Sequence, residues 1–181
     1  ILESISDGSI AYELTRPAEL YWMWFAKNAG TRLSKTLLRC IPVIVIASLV
    51  MPSPLRMLPP ADAVSFICFV VSTVLAFTVV VALVVLVYVI TLHTVSPLGP
   101  RVFLGAISEL FSGAVIPLPF FPDGVRRIAE LLPFASGQNV PLRIYTGNLA
   151  GREMYAALAL QLFWAVALTA FGWAWMRASE K

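Results

Sequence analysis

Glu109 is the one carboxylate well inside an apolar stretch of the chain. An acid held at membrane depth marks a substrate, ion or proton path by default. The same residue placed near an interface loses that meaning, and the run around Glu109 has soft ends. His93 is the only histidine and could act as a proton switch near neutrality, although a histidine at a helix end is more often a surface residue. Paired with Ser108 or Ser112 it could serve an intramembrane hydrolase, which requires the two side chains within hydrogen-bond reach. No G-x-S-x-G occurs, and His93 and Ser112 flank opposite ends of one predicted span, tens of Å apart at about 1.5 Å per residue. Arg126 and Arg127 with Glu130 could steer an anion, but i, i+3 and i, i+4 pairs on a solvated face account for them too. Gln161 is a polar residue that can hydrogen-bond a neighbouring helix inside a membrane, with packing a simpler role than substrate contact. Cys40 and Cys68 sit in or beside apolar runs and read as small buried hydrophobes. Without a CxxC or a Cys/His cluster, neither a metal site nor a disulfide framework is expected. No catalytic residue is nominated.

The elements that must carry these residues are membrane helices. Hydrophobic residues make up 59% of the 181 and charged ones 13%, against roughly a quarter charged in soluble domains. The mean hydropathy of +0.85 excludes disorder, which needs low hydrophobicity. Thirteen Lys and Arg against ten Asp and Glu leave +3, with no basic run suited to nucleic acid. A span needs about 20 mostly apolar residues. Four candidates emerge: 36–51, 63–92, 102–118 and 154–176. The second has no charge at all. The first carries Arg39 near its start, able to snorkel, and Pro42 in what would be its first turns, where proline is best tolerated. The third is broken by Gly113 and Pro117. Trp173 and Trp175 at the end of the fourth suit an interfacial belt. Residues 52–60 hold four prolines and read as a loop.

Lysine and arginine placement orients the chain. Arg16, Lys27, Arg32, Lys35 and Arg39 precede or open the first span, and Arg177 and Lys181 follow the last. An even number of spans puts both ends on one side, so residues 1–35, the turn 94–101 and the tail are predicted to be cytoplasmic. Arg56, Arg126, Arg127, Arg143 and Arg152 then lie outside and moderate the bias. Within 1–35, Ser6-Asp7-Gly8-Ser9 is a turn cluster, and a helix from about Pro17 would carry Tyr21, Trp22, Trp24 and Phe25 at headgroup depth. Residues 113–151 hold five prolines and five glycines, too many for one continuous helix, and 119–153 is read as an outer re-entrant or amphipathic segment. Short helices are expected at 125–132, with Val125, Ile128, Ala129 and Leu132 on one face, and at 140–145. Such broken backbone survives at membrane depth only where protein or water satisfies it.

Several stretches, in order, match one family. Ile5-Ser6-Asp7-Gly8-Ser9-Ile10 followed by Leu14-Thr15-Arg16-Pro17 resembles its I-x-x-G-x-I…L-x-R-P segment. Phe111-Ser112-Gly113-Ala114-Val115-Ile116-Pro117-Leu118, then Phe121-Pro122, resembles its F-S-G-x-x-I-P-L…F-P segment. Leu132-Pro133-Phe134, Pro141, Ile144-Tyr145, Gly147, Gln161 and Trp164 continue the pattern. The chain resembles ABC-2-type transporter permeases, in the branch that pairs with a second permease and a separate ATPase.

The resemblance implies an all-α membrane protein with six spans per subunit. The four seen here would be the third to sixth, so the chain would lack the first two and a short C-terminal tail. Residues 1–35 would form a cytoplasmic coupling segment, with the coupling helix near 5–30 and Gly8, Leu14, Arg16 and Pro17 as its marked positions. Residues 117–151 would form outer re-entrant helices within the outer segment 119–153 and the end of the span before it, with Ser112, Gly113, Pro117, Pro122, Pro133, Phe134, Pro141 and Gly147 as re-entrant or outer-gate candidates. The implied function is export of an unidentified substrate by alternating access, in a bacterial-type inner (plasma) membrane. The implied partners are an ATP-binding subunit, a second permease in a homo- or heterodimer, and the lipid bilayer. With no G-x-x-x-x-G-K-[ST] in the chain, ATP and Mg would be held by the partner ATPase, and no cofactor by this chain. A non-transporting membrane scaffold is the alternative, and an intramembrane hydrolase a more distant one.

Overall fold

The computed structural model describes residues 19–50, 52, 62–94, 98–113 and 115–179. Every regular element among them is helical: α1 (Leu20–Val45), α2 (Ala63–Thr94), α3 (Leu98–Phe111), α4 (Asp123–Leu131), α5 (Ala135–Tyr145) and α6 (Gly151–Ser179). A π-helical turn at Ile46–Val50 extends α1, and a 3-10 turn at Leu118–Phe120 precedes α4. Helix is what an apolar chain must form in lipid, because each backbone N–H and C=O then finds its partner within the segment.

Two helices, α2 and α6, are long and apolar enough to cross a membrane. α2 has 32 residues, about 48 Å at 1.5 Å per residue, which exceeds a hydrocarbon core of about 30 Å. It is the hub of the molecule. One seam, Cys68, Ser72, Ala76, Val79 and Leu83, repeats every three or four residues. A second, Val81, Val85 and Val89, repeats every four, and both are buried. A helix apolar all round is one packed on several sides. The first seam meets α5 and α6, and the second meets α1.

α2 and α6 run parallel. Ser72 pairs with Gln161, Val79 and Leu83 cluster with Ala165, and His93 meets Ser179. The chain between them must therefore return, and α3 starts that return with Leu104 against Val79 and Leu83. α3 has 14 residues, about 21 Å, shorter than the predicted stretch 102–118 and shorter than the hydrocarbon core. It stops because Gly113 takes φ +80°, a left-handed conformation open to glycine. The Ser112 N–H closes the last turn onto the Ser108 carbonyl at 2.9 Å.

α1 differs most from the sequence expectation. A headgroup-depth helix followed by a separate span from Thr36 was expected. Instead one 26-residue helix runs through both, beginning at Leu20. Nothing from Leu20 to Arg39 breaks a helix except Gly30, which costs only about 1 kcal/mol. Pro42 thus lies in the last turns of α1 rather than the first. It removes an N–H from the ladder, and the helix widens into the π turn four residues later. Leu20, Tyr21 and Trp24 are buried, whereas residues 33–45 are exposed and stand off the bundle.

Candidate functional site

The sequence nominated two regions, and each has a counterpart at one level of the bundle. At the first, the start of α1 packs along the second half of α2 and on the last turns of α6. Leu20, Tyr21 and Trp24 are spaced so that one helix face holds all three. They pack with Val81, Val85, Val89 and Met176. Trp24 is fully buried and meets Tyr88 edge-to-face at 5.9 Å. Trp22, two residues away, is exposed, so only some of these aromatics face outward as an interfacial helix would have them. Asn28 Nδ2 donates to the Tyr88 hydroxyl at 2.6 Å, and Arg32 Nε donates to Asn28 Oδ1 at 2.9 Å. Arg32 is thereby tied through α1 to α2.

Tyr21 fits against a glycine. A Cβ on Gly172 would stand 2.9 Å from Tyr21 Cε2, so α1 and α6 approach as closely as they do because residue 172 has no side chain. Burial pushes the Tyr21 phenol up to about 12, keeping it protonated. The neighbouring Thr169 hydroxyl offsets part of that, although neither hydroxyl has a partner at hydrogen-bond geometry among the described residues. Around this seam Trp173 Nε1 donates to Glu19 at 3.1 Å, and the Arg177 guanidinium sits 5.2 Å over the Trp173 ring. Trp173 therefore binds charged groups from α6 and from the residue before α1.

His93 belongs to this end too. Its Nε2 lies 2.9 Å from Ser179 Oγ, and its ring stacks on Trp175. Ser112 follows the far end of α3 and donates to the Glu109 carbonyl at 3.3 Å. α3 begins beside the His93 end of α2, so Ser112 stands about 21 Å away along it, beyond the hydrogen-bond reach that a Ser–His pair needs. Gly8, Leu14, Arg16 and Pro17 lie outside the described residues.

The second region is the broken segment before α6. Gly113 ends α3, and Pro117 opens the 3-10 turn by accepting from Phe120 N–H at 3.0 Å. Pro122 precedes the first residue of α4 and accepts from Arg126 N–H at 2.9 Å. Pro133 is buried in the turn between α4 and α5. Phe134 packs with Val79, Leu83 and Ala165, and stacks on Phe111 at 6.5 Å. Pro141 is buried within α5. Gly147 takes φ +73° just after α5, and Leu149 N–H returns to the Arg143 carbonyl at 3.1 Å, a left-handed cap that turns the chain toward α6.

α5 starts deep. A Cβ on Gly137 would meet Val80 Cγ2 at 3.3 Å, seventeen residues along α2 and about 26 Å from its start. At its other end Tyr145 meets Phe69 at 5.2 Å, so α5 climbs antiparallel to α2. One polar node pins its start. Gln161 is fully buried. Its Oε1 accepts from Ser72 Oγ at 2.8 Å, and its Nε2 donates to the Ser136 carbonyl at 2.9 Å. Three helices meet at one side chain, with both ends of the amide used. The sequence singled out Gln161 without its partners; Ser72, a hydroxyl in a charge-free run on the seam Cys68–Ser72–Ala76, was the signal available.

α4 spans Asp123–Leu131, close to the predicted 125–132. Only Ala129 of the predicted face is fully buried, beside Leu118 and Ala135. Val125, Ile128 and Leu131 are exposed. Arg126 pairs with Asp123 at 3.6 Å and Arg143 with Glu130 at 3.2 Å, rather than Arg126 and Arg127 serving Glu130 together. Trp164 Nε1 donates to the Leu131 carbonyl at 2.9 Å, holding α4 to α6. Glu109 is exposed on α3, with no ion pair among the described residues.

No curated protein and no solved structure matches the chain. A family model described as "ABC-2 family transporter protein" matches residues 1–181. That match takes in the glycine- and proline-terminated return after α3, the deep start of α5 and the seam between α1, α2 and α6, and the chain belongs to the ABC-2 family of transporter proteins.

Proposed function

We propose that the chain is the permease subunit of an exporter that works by alternating access, driven by a separate ATPase subunit holding ATP and Mg. A second permease completes the pathway, as a homo- or heterodimer in a bacterial-type plasma membrane. The observation that carries this reading is the seam at the start of α1. Leu20, Tyr21 and Trp24 touch the second half of α2 and the last turns of α6, so a displacement of α1 is passed to two helices at once. A coupling segment needs that linkage. Residues 1–35 supply the segment, with Arg16 and Pro17 fixing its geometry against the ATPase.

The α4–α5 hairpin is the outer re-entrant gate in this reading. Its support is the depth of α5 along α2 and the Gln161 node that holds it there. The test is the nucleotide hydrolysis of the reconstituted complex. Arg16→Glu should leave the permease inserted and assembled while abolishing stimulation of hydrolysis by the permease. Coupling equal to wild type in that variant contradicts the assignment. A non-transporting scaffold would tolerate disruption of Pro117 or Pro133, whereas the exporter reading expects transport to be lost.

A further inference from the structure

The turn between α4 and α5 lies deep in the membrane. A hydrocarbon core of about 30 Å, laid anywhere along the roughly 48 Å of α2 or the roughly 44 Å of α6, always takes in their middle turns. Tilt only lengthens the stretch it covers. Val80 on α2 and Trp164 on α6 belong to those turns. Gly137 lies against Val80 Cγ2, and the Leu131 carbonyl accepts from Trp164 Nε1, so both ends of the α4–α5 turn are at that depth.

The side chains around it are nevertheless polar and open. Gln138, next to Gly137, is exposed. With Asn139 and Arg143 it occupies the outward side of α5, opposite Gly137 and Ile144, and Leu142 is the apolar residue among them. On α4, Asp123, Arg126, Arg127 and Glu130 fall within an arc of about 100° at 3.6 residues per turn, and the exposed Val125 and Ile128 lie on the other side. The two polar faces join through the ion pair of Glu130 and Arg143 at 3.2 Å, each side chain 37% exposed. Arg127 stands four residues before Leu131, within about 6 Å of its depth. It is exposed and has no ion pair among the described residues. Charged side chains at this depth turn to water or to one another, not to lipid, and the two carboxylates of α4 are already paired with Arg126 and Arg143. A surplus cation is left. We propose that these faces of α4 and α5 line a water-filled recess reaching the middle of the membrane, and that Arg127 gives it a site for an anionic solute. Membrane insertion suffices for the recess, so its failure is separate from that of the transport reading.

The test uses the full-length protein in nanodiscs, which expose both membrane faces, with Cys40→Ala and Cys68→Ala as background. Single cysteines are reacted with membrane-impermeant methanethiosulfonates, the anionic sulfonatoethyl or the cationic trimethylammonioethyl reagent. Ala150→Cys, exposed just before α6, gives the rate in open water. Leu162→Cys, exposed in the middle turns of α6, gives the rate on an apolar face. Gln138→Cys should react severalfold faster than Leu162→Cys with either reagent. Its ratio of anionic to cationic rate should exceed that of Ala150→Cys severalfold, and fall to parity with it in Arg127→Gln. Asn139→Cys, on the same side of α5, takes its place if Gln138→Cys does not accumulate. Reaction at 138 as slow as at 162 overturns the recess, whether lipid or a protein partner covers the face. A rate ratio equal at 138 and 150, or one that Arg127→Gln leaves unchanged, overturns the anionic site.

Discussion

At the scale of single residues, Gln161 and Gly172 hold positions that few other side chains could fill. Gln161→Leu leaves the Ser136 carbonyl and the Ser72 hydroxyl without their partner. Interhelical bonds of this kind are worth about 0.6 kcal/mol on average in membrane double-mutant cycles and up to about 1.7. A double-mutant cycle with Ser72→Ala should return a coupling of about 1 kcal/mol, read from unfolding in mild denaturant; strict additivity would mean that the two do not share a bond. Gly172→Val should cost about 1–3 kcal/mol, because the new side chain meets Tyr21 in a packed seam. Thermal unfolding in detergent checks it, and Tyr21→Ala should restore part of the loss by clearing the space. These two roles differ in how far the sequence exposed them. A glutamine in an apolar run is visible as an exception. A glycine among Trp173, Trp175 and Phe171 is not, because its meaning depends on Tyr21, which lies 151 residues earlier in the chain.

At the scale of elements, α1 is the informative one. Its first turns are anchored by Trp24, fully buried against Val85 and Tyr88. Trp24→Ala should cost about 3–5 kcal/mol locally and release the N-terminal turns while α2 and α6 stay paired. Hydrogen exchange should then rise in residues 20–28 and stay unchanged at 72–83; a uniform rise would mean that α1 is part of the common core instead. The helical character of every long apolar run was legible from composition, because lipid leaves the backbone no alternative. Helix ends were not. Gly113 was recognised as a breaker, yet the stop falls at Phe111 because the left-handed turn acts on the residues before it. The start of α1 was placed near Pro17 and its span near Thr36, because a change from charged to apolar residues resembles a boundary. A helix has no need to end where its surroundings change. The outward face of α4 was also hidden: periodicity shows that apolar residues share a face, but which medium that face meets is decided by the fold around it.

At the scale of the molecule, the account rests on a division of labour. The chain belongs to a transporter family and carries no phosphate-binding loop, and its coupling segment is proposed to face a separate ATPase. The family was legible from the order of short weak motifs, none of which would identify it alone, since each places a glycine or proline at one break in the backbone. What passes through the bundle was not legible, because the spans carry no acidic ring, aromatic cage or paired charges that would select one class of substrate. The most direct measurement is to tag the full-length protein in its native membrane, purify it gently and identify what accompanies it. The account predicts a nucleotide-binding subunit and a permease partner in stoichiometric amounts. Recovery of neither, under conditions in which a known membrane complex survives, would contradict it.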